Sequence, residues 1–207
     1  MQDAIKVILG PSVRRIRELK REIRVLDLRA RGVEIQDDVN VYGKVVISRA
    51  RGSRILIADR VIFNSSVARN TLEARGPNIL KTLMSAARIE VGTDSGLTSA
   101  TISAACSIRV GQRVLIGAGT LITDSDHHVV SPRDPSLRRH AAFPEPRPEH
   151  AVSIEDDVFI GARSMVLKGV TIGRGSVIGA GSVVSRSIPE GVIAAGNPCR
   201  PLRALEV

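Results

Sequence analysis

Between residues 110 and 184 an Ile or Val recurs at every sixth position on either side of one interruption. It stands at Val110, Ile116 and Ile122, then at Ile154, Ile160, Val166, Ile172, Ile178 and Val184. Gly follows five of these nine residues, at Gly111, Gly117, Gly161, Gly173 and Gly179. The same step appears earlier, at Ile35, Val41 and Ile47, at Ile57 and Phe63, and at Val91 and Leu97. An amphipathic helix repeats its apolar face at steps of three and four, and a half-buried strand at steps of two. A step of six fits a solenoid in which each unit is a short strand plus a turn. The β-branched residue points inward and stacks on its counterpart in the next coil. The Gly after it is expected to supply a backbone conformation closed to other residues at a tight corner. No unit buries its own apolar face, so stability must come from stacking. Strands of a sandwich recur at about 8–12 residues with variable loops, which does not match.

Composition agrees with a narrow interior. Among 207 residues there is no Trp, one Tyr and three Phe, so Ile, Val, Leu and Ala must fill the core. Three stretches break the ladder. Residues 128–152 carry five prolines and no six-step pattern, and they read as a long loop thrown out from one corner. Residues 64–88 separate the early repeats from the late ones. Residues 11–29 space apolar side chains by three and four among arginines, which predicts an amphipathic helix with Pro11 in its first turn. The organisation that follows is a basic helical segment over 1–32, a β-helix over 33–196 and a closing segment over 197–207. The helix either caps the open end of the solenoid or rests on an anionic membrane surface.

The ladder stops at ITDSDHH, residues 122–128. The segment VGQRVLIGAGTLITDSDHH, and the repeats from Val152 to the closing AGNPCRPLR, resemble the hexapeptide-repeat acyltransferases. The resemblance is strongest to the sugar O-acetyltransferase branch, which includes the maltose, galactoside and lipopolysaccharide-type enzymes. It runs from about residue 89 to 203. It implies an all-β, left-handed parallel β-helix, an exception to the usual right-handed crossover. It further implies a homotrimer with active sites between neighbouring subunits, and acetyl-coenzyme A as co-substrate in the groove between them. The family's catalytic His aligns with His127.

The chemistry supports a histidine there. Acetyl transfer to a hydroxyl requires that the hydroxyl lose its proton as it attacks. An imidazole with an ordinary pKa of about 6.5 suits that task at neutral pH. A backbone N–H is the expected donor to the thioester oxyanion. His128 is the alternative base, and neighbouring residues on an extended segment face opposite sides. Asp124 and Asp126 flank the pair and are expected either to bind acceptor hydroxyls or to form a solvated acidic turn. The galactoside enzymes' sugar-binding Asn aligns with Leu97, so Thr98, Ser99 and Thr101 are the candidate substitutes. For the coenzyme, the resemblance carries over Gly161 and Ala162, Ala180, Ser185, Arg186, Arg200 and Arg203. Small residues admit a pantetheine arm, and arginines neutralise phosphates. Arg133, Arg138, Arg139 and Arg147 on the proline-rich loop are expected to shape the acceptor site.

Other classes fit less well. The net charge is +9, and residues 1–32 hold nine Lys or Arg against four Asp or Glu. A basic surface attracts phosphorylated cofactors, acidic lipid or nucleic acid, but stacking aromatics are scarce, so no nucleic-acid partner is expected. A zinc-dependent carbonic anhydrase on this fold needs three converging His. His127 and His128 are adjacent, and His140 and His150 lie in the loop, so no metal is expected. A non-catalytic scaffold remains a rival, since fold does not fix function. Cys106 and Cys199 are too few for a disulfide framework, and no partnering His marks either as a nucleophile. A cytoplasmic sugar or glycan O-acetyltransferase is the expectation.

Overall fold

The computed structural model describes residues 2–70, 72, 76–130, 135 and 143–206, with side chains of the first helix described at 15–16 and 18–30. Among the described residues, twenty short strands, numbered in chain order, form three sheets, and all neighbours except β19 and β20 are one coil apart. The first sheet holds β1 (Glu34–Ile35), β4 (Arg54–Ile57), β7 (Arg88–Val91), β10 (Ser107–Val110), β13 (Val152–Ile154) and β16 (Thr171–Ile172). The second holds β2 (Asn40–Tyr42), β5 (Ile62–Asn64), β8 (Gly96–Thr98), β11 (Leu115–Ile116), β14 (Phe159–Ile160), β17 (Val177–Ile178), β19 (Val192–Gly196) and β20 (Cys199–Ala204). The third holds β3 (Val45–Arg49), β6 (Asn78–Thr82), β9 (Thr101–Ala104), β12 (Leu121–Thr123), β15 (Met165–Val166) and β18 (Val183–Val184). The chain visits the sheets in rotation, which makes a three-sided, left-handed parallel β-helix.

The six-step residues form its spine. Ile57, Val91, Val110, Ile154 and Ile172 are in successive register on the first sheet. On the second, Phe63, Leu97, Ile116, Ile160 and Ile178 do the same. All ten are at most 2% exposed. Ile35 and Ile47, in the first coil, are only half-buried because no full coil covers them. The third sheet stacks Leu80, Ile102, Ile122, Val166 and Val184. Two of these were hidden in the sequence. The break at 64–88 is not a gap, because β6 continues the ladder there with Leu80 paired to Ile47 and Ile102.

The glycines after the inner residues serve a different end from the one expected. They are absent from the residues with positive φ. Their role is close approach: a Cβ on Gly117 would lie 2.6 Å from the Ala162 nitrogen, and one on Gly161 2.5 Å from the Ala180 nitrogen. Positive φ falls a little further along, at the corners. Asp38, Arg60, Asp94, Arg113 and Asp157 all take φ between 55° and 63° where the first sheet turns into the second, and Gly175 follows at 67°. Opposite charges alternate up this corner. Arg60 donates two hydrogen bonds to Asp94 at 2.6 and 2.7 Å, and Arg113 two to Asp157 at 2.5 and 2.9 Å. Small buried hydroxyls satisfy corner carbonyls from inside: Ser95 donates to Gly111 O at 2.9 Å and Ser176 to Pro189 O at 2.7 Å.

The first helix, α1, runs from Gln2 to Ala30, so it begins nine residues before the expected start. Pro11 lacks one amide donor, yet its fixed φ is helical, and the helix carries through it. At its C-terminal end Leu28 is 3% exposed and Val25 packs on the core. That end therefore caps the first coil. At the other end, β20 folds back antiparallel on β19 and buries Cys199. The expected loop at 128–152 ends slightly early, since Val152 already belongs to β13.

Gly117→Ala is expected to lower stability by about 1–3 kcal/mol, because its methyl group meets rigid backbone of the next coil. Thermal unfolding of the purified variant against the parent measures this. An unchanged melting temperature would show that the coils are not that close.

Candidate functional site

The long insertion leaves the third sheet after β12 and returns at β13, yet it does not disturb the register: Ile122 still pairs with Val166 below it. The chain can leave the coil there because a corner, unlike a strand, has no neighbour to clash with on its outer side. His127 lies in the first residues of this insertion. It is half-buried and takes φ of 60°, whereas His128 is exposed. A non-Gly residue in the left-handed region is uncommon, although His tolerates it better than most. Such conformations tend to gather at functional sites.

Its neighbours hold the ring. The Ser125 hydroxyl accepts from the His127 amide at 3.1 Å. Thr123 Oγ1 lies 3.3 Å from His127 Nε2, donates to Ser125 O at 3.2 Å and accepts from Ser125 N at 3.3 Å. The Thr123 hydroxyl can either accept from Nε2–H or donate to a Nε2 lone pair, and in both cases it fixes the orientation of the ring. Phe143, from the far end of the insertion, sets its ring edge-on to the imidazole at 6.1 Å between centroids and 69° between planes. Asp126 forms an ion pair with Lys168, which projects from the next coil at the same corner.

Asp124 is placed otherwise than expected. It is 1% exposed, and its two oxygens accept from the amides of Ala105 at 2.6 Å and Cys106 at 2.8 Å. Burial pushes its carboxyl up from the usual range, and the amide bonds, including one from Ser107, pull it back. A carboxylate buried against the amides of the previous coil is closed to an acceptor, so Asp124 braces the turn that precedes His127. Ser99 is corrected in the same way: it is 7% exposed and donates to Gly76 O at 2.9 Å. Thr98 is half-buried, but it and Ser99 lie where the second sheet turns into the third, one corner away from His127.

The coenzyme candidates divide between places. Ser185 and Arg186 follow β18 at the corner of His127, two coils further on, and both are exposed. Gly161 is buried, Ala162 is half-buried and Ala180 is exposed, one above another at the second-to-third corner. Arg200 and Arg203 are exposed on β20. One chain thus groups His127, Asp126, Lys168, Ser185 and Arg186, and leaves the alanines and closing arginines on other faces. Arg133, Arg138, Arg139 and His140 lie outside the described residues; Arg147 is exposed, near Glu149 at 3.8 Å. Burial pushes both cysteine thiols up, away from the thiolate form a nucleophile requires. Among the described residues, no group of three His, Cys, Asp or Glu is placed to hold a metal ion.

Sequence reading missed Thr123, Ser125, Lys168 and Phe143. Two signals pointed to them: Phe143 is one of three Phe in the chain, and Lys168 follows Val166 as Asp124 follows Ile122.

Comparison with known proteins places the chain. Residues 151–186 match the family model of the hexapeptide repeat of succinyl-transferase. A galactoside O-acetyltransferase of Lactococcus lactis is 41% identical over 98 residues, which are 47% of this chain and 44% of that protein. The chain therefore spans less than half the length of that relative. A solved hexapeptide-repeat acetyltransferase of Vibrio cholerae, complexed with acetyl-coenzyme A, is 32% identical with a TM-score of 0.50, over 57% of this chain and 61% of that one. A maltose O-acetyltransferase from Clostridium difficile covers 85% of this chain and 71% of its own, at 25% identity and a TM-score of 0.53. The fold is the left-handed β-helix of these solved structures. Over the matched residues the chain is similar to hexapeptide-repeat acetyltransferases.

Asp124→Asn is expected to destabilise the protein by about 1–3 kcal/mol, since the new NH₂ group must face an amide N–H that has lost its acceptor. The check is the melting temperature together with amide exchange at Ala105 and Cys106; unaltered protection at both would contradict the bracing role.

Proposed function

We propose that this protein transfers an acetyl group from acetyl-coenzyme A to a hydroxyl of a sugar or glycan, with His127 as general base. The observation that carries this reading is the half-buried His127, its ring beside Thr123 and its amide on Ser125, at a corner where the ladder opens into a long insertion. The similarity to sugar O-acetyltransferases and to an acetyltransferase complexed with acetyl-coenzyme A supports it.

In this mechanism the acceptor oxygen attacks the thioester carbonyl as its proton passes to the free nitrogen of His127. A tetrahedral oxyanion forms, and a backbone N–H stabilises it. Collapse breaks the carbon–sulfur bond. The leaving thiolate takes the proton back from the imidazolium, which restores the base and releases coenzyme A. The contact between Thr123 Oγ1 and His127 Nε2 orients the ring. The Asp126–Lys168 pair borders the acceptor space and turns a flexible acid into an oriented one. Thr98 is a candidate to reach the acceptor only from a neighbouring subunit.

The scatter of the coenzyme candidates over separate faces has a natural explanation if the working unit is a homotrimer. A groove between two prisms then joins His127 of one subunit to the alanine column and closing arginines of the next. Gly161, Ala162 and Ala180 line the pantetheine arm. Ser185, Arg186, Arg200 and Arg203 meet the phosphates and nucleotide, where exposed guanidinium groups form paired hydrogen bonds at little cost in desolvation.

An acceptor screen with isotopically labelled acetyl-coenzyme A, read by product mass, tests the reaction. Acceptors that carry both hydroxyl and amino groups report which atom is modified, and label on nitrogen alone would overturn the hydroxyl assignment. His127→Ala should lower kcat by about 10²–10⁴ with little change in coenzyme affinity. If His128→Ala has that effect instead, the base is misassigned. Arg200→Ala should raise the KM for acetyl-coenzyme A by roughly tenfold and change kcat less, the loss of about one charge-assisted contact. An unaltered KM would remove Arg200 from the coenzyme site.

A further inference from the structure

Among the described side chains of α1, those of the last turns cap the first coil. Leu28 and Val25 face the core, and Arg24 donates to Val41 O at 2.9 Å. A second apolar row is left uncovered. Ile16 is 52% exposed, Leu19 55%, Ile23 55% and Leu26 60%. Their spacing of three, four and three places them on one stripe, about half a turn around the helix from Val25 and Leu28. A cap needs one apolar face, and this helix has two.

The charges around the stripe select its partner. Residues 2–30 hold eight Lys or Arg against four Asp or Glu. On the helical wheel Arg15 borders the stripe on one side and Lys20 on the other, and both are exposed. The acidic neighbours are Glu22 and Asp27, and Asp27 is held by Arg31 at 3.0 Å. Parallel pairing with the helix of a second copy along this stripe would set Arg15 against Lys20 and Glu22 against Asp27, like against like. Against an anionic surface Glu22 is repelled, but Asp27 is already paired with Arg31 and the excess of Lys and Arg over residues 2–30 leaves a net attraction. No described helix is long and apolar enough to cross a membrane, so the stripe can only lie along one.

The geometry points to α1 as a peripheral anchor that lays Ile16, Leu19, Ile23 and Leu26 into the surface of an anionic phospholipid bilayer. The apolar row enters the boundary between headgroups and acyl chains, and Arg15 and Lys20 meet phosphates at its edges. A single amphipathic helix with modest charge binds reversibly; several helices on one assembly would strengthen the hold by avidity. This inference is independent of acetyl transfer, and its test reads no enzymatic signal.

Full-length protein is sedimented with vesicles of phosphatidylcholine alone or with 30 mole per cent phosphatidylglycerol (about a third anionic lipid, a typical polybasic test surface). The parent should pellet with the anionic vesicles, weakly with the neutral ones, and less as salt rises. The double substitution Leu19→Gln and Ile23→Gln keeps good helix formers and should cut anionic-vesicle binding by roughly tenfold or more. Arg15→Gln with Lys20→Gln should weaken binding to the anionic vesicles alone. Circular dichroism and melting temperature confirm that both variants fold, and light scattering after gel filtration gives their mass. Absence of parent binding, or binding unaffected by the stripe substitutions, overturns the proposal. A lower assembly mass in the Leu19 and Ile23 variant also overturns it, and names a second copy of the chain as the true occupant.

Discussion

Everything in this molecule depends on the vertical stacking of aliphatic side chains inside three parallel ladders. Each coil contributes an inner residue per sheet, and each inner residue packs on those directly above and below, as Val110 does between Val91 and Ile154. The backbone hydrogen bonds of a strand are made wholly with neighbouring coils, so neither half of the interaction exists within a single repeat. Such an interior is narrow, and it explains how a chain nearly free of aromatics keeps a dry core: the buried members are overwhelmingly Ile, Val, Leu and Ala.

The same stacking decides where variation is allowed. Along the strands a Cβ in the wrong place strikes the next coil, which is why Gly117 and Gly161 are glycines. At the corners the chain points away from its neighbours. One corner carries left-handed backbone conformations and an alternating ladder of arginine and aspartate, and the other two open into insertions without shifting the register. Chemistry in a fold of this kind belongs at corners. His127 is on one, with Lys168, Ser185 and Arg186 on later turns of the same corner.

Much of this was legible in the residues. The six-step pattern located most of the inner positions, because a buried site tolerates few residue types and the repeat keeps their spacing constant. Leu80 and Ile102 escaped because the first follows an insertion after Phe63 and the second stands one residue short of the six-step from Leu97, although both strands still pair with their neighbours. The glycines were found and their reason misjudged, since a close approach between coils leaves no trace in local sequence. Asp124 and Ser99 looked like surface polar residues beside a candidate base. Each is instead buried against a carbonyl or amide from distant sequence, and only the pairing of coils reveals that. The helix was recognised as amphipathic, but its two apolar faces could be told apart only once one of them was seen against the core.

The sequence by itself determined the type of fold and its spine, because periodicity is a local record of which side chains must be hidden. It also determined that a histidine stands where the periodicity fails. Only the tertiary structure decided what surrounds that histidine. Thr123 and Ser125 are close in the chain, but their contacts with the ring and amide of His127 depend on a left-handed turn, while Phe143 reaches the ring from across the insertion and Lys168 reaches the neighbouring Asp126 from the next coil. The reason is physical: burial constrains a residue's type wherever it lies, whereas a contact is set by the path of the backbone between its two partners.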